Sequence, residues 1–277
     1  MLITHRIRDL FAGLAMVVAA GAASPVAAQG GDLLVAPTRV IINGAGNAEV
    51  VLGNIGSQAA TYRIGVELRR MEPDGDFADV TEAEASAAEK AALEMLRYAP
   101  KRITLLPGQP QAIRLSARPA ADLPDGEYRV HMSFRAIPPA LSPEAAQDQA
   151  VAGQLAIRLT PVYGITIPVF IRKGRLDAGA TIANPRLGSN AGAKWLELDL
   201  RRTGQRSVYG EILGKRGNEQ VFALKGVAIY PEVPGRSVRI PLTAEQIGKL
   251  TGPIRIEYRE LPENGGQLIA TVTSTVR

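Results

Sequence analysis

The sequence predicts an all-β protein built from two sandwich domains, and three observations carry that expectation. Short runs of alternating apolar and polar residues follow one another along the chain. Gly, Pro and Asn punctuate them, as at Asn43-Gly44, Pro107-Gly108, Asp125-Gly126, Thr203-Gly204 and Asn264-Gly265-Gly266. The chain has no cysteine among its 277 residues, so stability has to come from buried apolar cores rather than disulfides.

The N-terminus reads as an export signal. His5, Arg6 and Arg8 form a basic start, Leu10 to Ala23 is apolar and small, and Pro25-Val26-Ala27-Ala28 offers a cleavage site after Ala28. The apolar run is too short for a bilayer-spanning helix, and no other stretch is long and apolar enough to be one. The expectation is a signal peptide over 1–28 and no membrane insertion after its removal. The small-residue site fits a bacterial leader, which makes the periplasm the expected compartment. The remaining length suits two domains, divided near the linker Lys173–Ala178: 29–174 and 175–277.

In the first domain, Leu33-Leu34-Val35, Val40-Ile41-Ile42, Glu49 to Leu52 and Thr61 to Leu68 read as strands. Thr81 to Tyr98 breaks the texture. It is rich in Ala, Glu, Leu and Met, lacks Gly and Pro, and opens with a Thr81/Glu84 capping box, which predicts a helix inserted between strands and ending near Pro100. Strands resume at Ile103–Leu105, Gln111–Leu115 and Glu127–Ile137. Beyond the linker, Trp195–Leu200, Val238–Ile240, Ile254–Tyr258 and Leu268–Val276 repeat the pattern.

Residues 151–171 form the longest alternation. Val151, Leu155, Ile157, Leu159, Tyr163, Ile165, Ile167, Val169 and Ile171 all fall on odd positions. A strand of about 20 residues would span roughly 65 Å, far beyond the usual length. Two readings stay open on pattern alone. The run is either core, broken at Pro161 or Pro168, or an edge strand that projects and pairs with a partner lacking a strand.

Several classes of chemistry find no support. Outside the leader there is one histidine, His131, mid-strand in an alternating run, and no cysteine, which argues against a His/Cys metal site and a Ser-His-Asp triad. No nucleophile elbow or phosphate-binding loop is present, and Gly44-Ala45-Gly46 is a turn with no following helix. Asp74, Asp76 and Asp79 read as a solvated loop ahead of a calcium site. The net charge of +5 is scattered and aromatics make up 5% of residues, so nucleic-acid binding is not indicated. No enzyme activity and no cofactor are expected.

Four segments in order resemble the periplasmic pilus chaperones, the PapD-like family, with the likeness strongest over 33–174. They are Pro37-Thr38-Arg39-Val40, then Leu105-x-Pro107-Gly108-x-x-Gln111-x-Ile113-Arg114. Asp125-Gly126-Glu127-Tyr128 through Ile137-Pro138-Pro139 follows, and then the alternating strand ending at Arg172. The resemblance implies two immunoglobulin-like sandwiches in an L-shaped arrangement with a cleft between them. It implies Arg39 as an anchor for a subunit's C-terminal carboxylate, an interdomain ion pair of Glu127 with Arg172, and a donor strand carrying Leu155, Ile157, Leu159, Tyr163, Ile165, Ile167 and Val169. The implied partners are pilin-like subunits and an outer-membrane usher, with self-association of the free form as a way to hide the strand. The chain departs from the pattern at the second anchor. Ile165-Thr166-Ile167-Pro168 holds no basic residue, so Lys173 and Arg158 are the substitutes considered, and Glu263 is the nearest third member of the ion-pair group. The competing reading is a secreted structural or adhesive β-sandwich protein without a chaperone cycle.

Overall fold

In the computed structural model of this chain, residues 33–138 and 162–276 are described. The leader and the 139–161 segment, with Leu155, Ile157, Arg158 and Leu159, lie outside them. Strands dominate the described residues and are arranged as two sandwiches. The first is formed by β1 (Leu33–Ala36), β2 (Val40–Asn43), β3 (Gly46–Asn54), β4 (Ala60–Met71), β5 (Phe77–Val80), helix α1 (Ala87–Met95), β6 (Leu96–Ala99), β7 (Arg102–Leu105), β8 (Pro110–Ala117), β9 (Gly126–Ile137) and β10 (Gly164–Lys173). Its sheets run β1-β3-β8-β6 and β2-β10-β9-β4-β5, with β7 also paired to β4. The second sandwich holds β11 (Ala178–Asn190), β12 (Ala193–Gly204), β13 (Val208–Arg216), β14 (Glu219–Ile229), β15 (Gly235–Pro241), helix α2 (Ala244–Gly248), β16 (Pro253–Arg259) and β17 (Leu268–Thr275). Its sheets run β11-β12-β15 and β14-β13-β16-β17.

Period-two burial explains the strands. In β8, Ile113, Leu115 and Ala117 are buried while Arg114 faces out, and in β12 Leu196, Leu198 and Leu200 alternate with half-buried Glu197 and Asp199. At the start of β9, the Tyr128 hydroxyl donates to the Pro124 carbonyl at 2.7 Å. This back-bond four residues upstream is the tyrosine-corner arrangement of immunoglobulin-like sandwiches.

The helix is shorter than the sequence predicts. Thr81 and Glu84 do pair, with the Thr81 hydroxyl 2.7 Å from the Glu84 carboxylate, but they close only a turn. A second capping box, Ser86 with Glu89, starts the helix at Ala87. It stops at Met95 because Leu96 to Ala99 take extended pairing with β8, from Leu96 opposite Ala117 to Ala99 opposite Arg114. Sheet hydrogen bonds and burial of Leu96 override helix propensity there.

β10 settles part of the question of the long alternation. It begins at Gly164 and pairs antiparallel with β9 over its whole length, but parallel with β2 only from Val169 to Arg172. Ile167 and Val169 are 2% and 0% exposed and belong to the core of the first sandwich, with Ile165 packed partly against it. Ile167 and Val169 are therefore removed from the set of side chains that could enter a partner's pockets, because their own core already fills the space around them. Tyr163, 54% exposed, remains available.

His131 sits on the opposite face of the same sheet, 4% exposed, edge-on to Phe77 with ring centroids 5.4 Å apart. Burial first, then Arg129 and Arg69, lowers its pKa to about 3. The unfolded chain protonates this imidazole near 6.5, so between those values the unfolded state binds more protons and stability falls as pH falls. Urea unfolding at pH 7 and pH 5 is expected to show a loss of roughly 2 kcal/mol. His131→Gln should erase that difference, and an equal pH 7-to-5 loss in the variant would assign it elsewhere.

Candidate functional site: the cleft between the sandwiches

The chain crosses between the sheets of the first sandwich at Pro37–Arg39, since β1 pairs with β3 and β2 with β10. That crossover delivers Arg39 to the junction with the second sandwich. Its guanidinium carbon lies 3.9 Å from the centroid of the Phe170 ring and 4.4 Å from that of Tyr209. Its nitrogens donate to the Ser207 hydroxyl at 3.1 Å and the Tyr230 hydroxyl at 3.3 Å. Among the described residues no carboxylate lies within ion-pair distance of it. Burial pulls its pKa below the ordinary arginine value, and the Tyr230 hydroxyl and Glu127 push back; a guanidinium so placed stays charged.

Beside it, Glu127 and Arg172 form a direct cross-strand pair of β9 and β10, on the face turned towards the second sandwich. Arg172 Nε lies 2.9 Å from one Glu127 oxygen, and the Ser207 backbone N–H donates to the other at 2.9 Å. The Glu127 side chain has no solvent exposure. The bridging partner is thus a backbone amide of the second sandwich. Glu263 stays exposed in a short 3-10 turn (Pro262–Asn264), outside this group.

A second bridge runs parallel. Arg129 pairs with Glu232, whose carboxylate also accepts the Met71 N–H at 2.8 Å, and Arg129 donates to the Arg69 carbonyl at 2.8 Å. The Arg129 guanidinium also lies over the Tyr230 ring at 4.0 Å. Met71 and Phe170, both from the first sandwich, join the apolar cluster of the second. Phe170 is one of several less polar residues on the even face of the strand, with Val162 and Pro168, so the sequence does not single it out; the roles of Ser207, Tyr209, Tyr230 and Glu232 leave no signal of spacing either.

Arg39, Arg172, Ser207 and Tyr209 line a cavity of about 460 Å³. Arg39, Arg172 and Arg206 supply its charge, with Glu260 the one acidic wall residue among the described residues, while Ile41, Leu176 and Ile269 make part of it apolar. Such a hollow suits a planar oxyanion attached to an apolar segment. The linker shapes its rim. Gly174 has φ +80°, and a Cβ there would fall 2.0 Å from an Asp125 carboxylate oxygen, so glycine is required at this close approach. Next to it, the Lys173 ammonium donates to the carbonyls of Ala120 at 3.1 Å, Ala121 at 2.8 Å and Leu123. Lys173 is thereby consumed by a turn of the first sandwich and is corrected as a substitute anchor; Arg158 lies outside the described residues.

The open side of β10 completes the site. The Ala136 N–H bonds to the Tyr163 carbonyl at 3.0 Å, which makes the odd positions of the strand the ones bonded to β9. The backbone groups of Gly164, Thr166 and Pro168 therefore point away from β9. β2 pairs only with residues 169–172, so this part of the edge has no partner strand among the described residues. Pro168 fits there because its missing N–H falls on the unpaired side.

No family model and no curated protein matches the sequence. Solved structures similar to it include the E. coli chaperone DraB, at 14% identity over 89% of this chain and 97% of that one, with a TM-score of 0.48. Another is the CsuC-CsuE chaperone–tip adhesion subunit pre-assembly complex of Acinetobacter baumannii, at 14% identity, 88% and 99% coverage and a TM-score of 0.46. A third is the Salmonella enterica SafA pilin in complex with the SafB chaperone, at 13%, 88% and 96%, and 0.44. Among the described residues no helix is long and apolar enough to cross a membrane.

Removing Glu127 leaves Arg172 as an uncompensated charge at the junction. Glu127→Ala is expected to lower unfolding stability by about 3–5 kcal/mol, and Glu127→Ala with Arg172→Ala by clearly less than the sum of the singles. Chemical denaturation of the four members of this cycle checks it. Additive effects would mean that the pair is not energetically coupled.

Proposed function

We propose that this protein is a periplasmic chaperone of the PapD-like kind, which captures pilin-like subunits and hands them to an outer-membrane usher. The observation that carries the proposal is Arg39. It is a guanidinium built into an interdomain cavity, oriented by an aromatic ring of each sandwich and two hydroxyls, with no carboxylate partner among the described residues. Holding a cation in that setting costs desolvation, and an incoming carboxylate would offset it. A chain terminus is the carboxylate that can enter such a hollow at the end of an extended segment.

The edge of β10 extends the same proposal. A strand laid along Gly164–Pro168 would receive backbone hydrogen bonds and would run towards Arg39, which directly precedes β2, and the cavity that flanks the β2 pairing. Tyr163 and Ile165, together with Leu155, Ile157 and Leu159 further back in the sequence, would supply the alternating apolar side chains. Each aliphatic side chain so buried contributes roughly 1.5–3 kcal/mol, and association takes several kcal/mol back. The compartment and the usher step follow from the leader-like N-terminus and the family resemblance. The domain division at 174/175 is part of the same reading, with the cleft between the two units as the working site. Binding and release of this kind need no cofactor and no bond chemistry.

The test is capture from periplasmic extract of the native host, with bound proteins identified by mass spectrometry. The wild-type protein is expected to enrich pilin-like subunits. Arg39→Ala, and separately Ile157→Asp with Leu159→Asp, should reduce that enrichment at least about tenfold while leaving the melting temperature within a few degrees. Wild-type protein that enriches no such subunit, or variants that capture as well as wild type, would overturn the proposal.

A further inference from the structure

The cleft contains a cation that neither the strand pattern nor the family resemblance identifies. Arg206 lies in the turn between β12 and β13, in the second sandwich, and lines the same cavity as Arg39. The turn is held from both sides. The Gln205 and Arg206 N–H groups donate to the Asp177 carbonyl at 2.8 and 3.3 Å, and the Asp177 N–H donates back to the Gln205 side chain at 3.0 Å. The next residue, Ser207, carries the hydroxyl that accepts from Arg39 and the N–H that donates to Glu127. The backbone that positions Arg206 is therefore the backbone that orients Arg39.

The guanidinium of Arg206 is nearly unengaged. Among the described residues its one hydrogen bond is to the Ser207 carbonyl at 3.5 Å, and no carboxylate lies within ion-pair distance. Of the other basic residues near the cleft, Arg172 is committed to Glu127, Lys173 to three carbonyls, Arg129 to Glu232, and Arg202 to the carbonyls of Gly204, Arg206 and Pro231, while Arg175 is exposed and does not line the cavity. With Glu260 the sole acidic wall residue among the described residues, the charge in the cavity favours an anion.

We infer that Arg206 is the second cation of the carboxylate site, so that a bound chain terminus is clamped by Arg39 from the first sandwich and Arg206 from the second. This rests on the carboxylate-capturing role proposed above and deepens it. The clamp spans the junction instead of lying along one strand, and ligand binding is thereby tied to the relative position of the two sandwiches. It also accounts for Ile165-Thr166-Ile167-Pro168 carrying no basic residue: the charge comes from the facing domain.

The experiment uses two fluorescein-labelled peptides of identical alternating Val-Thr sequence behind a Lys-Lys head, one ending in a free carboxylate and the other in a carboxamide. Fluorescence anisotropy with the full mature protein is expected to show the carboxylate form binding at least about tenfold tighter, as a charge-assisted clamp implies. Arg206→Gln should cut that preference several-fold, with Arg39 supplying what remains, and Arg206→Glu should cut it further. Melting curves confirm that each variant is folded. If both Arg206 variants keep the preference while Arg39→Ala loses it, the Arg206 assignment is overturned and the anchoring role of Arg39 stands. If wild type shows no preference, or binds neither peptide, the anchoring role falls and the inference falls with it.

Discussion

The arrangement depends on one buried carboxylate. Glu127 holds Arg172 of its own sheet with one oxygen and the Ser207 amide of the other sandwich with the second. A carboxylate without solvent exposure needs both partners. Its requirement fixes where the turn at Gln205–Ser207 sits against β9 and β10. Everything of functional interest in the cleft is measured from that turn: the hydroxyl that orients Arg39, the ring of Tyr209 two residues on, and the guanidinium of Arg206 one residue before. A looser junction would leave each of these groups in place on its own domain and destroy their convergence.

The same sheet face serves two purposes along its length. Near the junction the outward side chains of β9 and β10 are Glu127, Arg129, Phe170 and Arg172, which dock the second sandwich. Further along they are Ser133, Arg135, Gly164 and Thr166, where the β10 edge has no partner strand among the described residues. Among the described residues one end of this face is docked and the other borders an unpaired edge, which is the division the proposed strand pairing would use. The Arg129–Glu232 bridge and the packing of Met71 and Phe170 into the second cluster reinforce the docked end.

Much of this was legible in the sequence, for identifiable reasons. Strands with one buried face announce themselves by period two, and so β8, β9, β10 and β12 were readable. Periodicity does not say whose core an apolar face fills. That is why Ile167 and Val169 looked like candidates for a partner's pockets and proved to be interior. The helix was overextended because two capping boxes lie in tandem, and nothing local distinguishes Thr81/Glu84, which closes a turn, from Ser86/Glu89, which starts the helix. Arg39, Glu127 and Arg172 were visible only through the family-like motifs around them. Arg206 was not visible at all: it is one of several arginines near a turn, and only the tertiary docking of that turn brings it to Arg39.

The central claim is that the cleft cations and the β10 edge act together on one extended, carboxylate-terminated segment. The most direct test is heteronuclear NMR of the mature protein titrated with the carboxylate-terminated alternating peptide. The side-chain N–H signals of Arg39 and the backbone amides of Gly164 and Thr166 should shift together along one saturating curve, with both amides gaining protection from hydrogen exchange. Saturable binding that moves neither the Arg39 signals nor those amides would contradict the account.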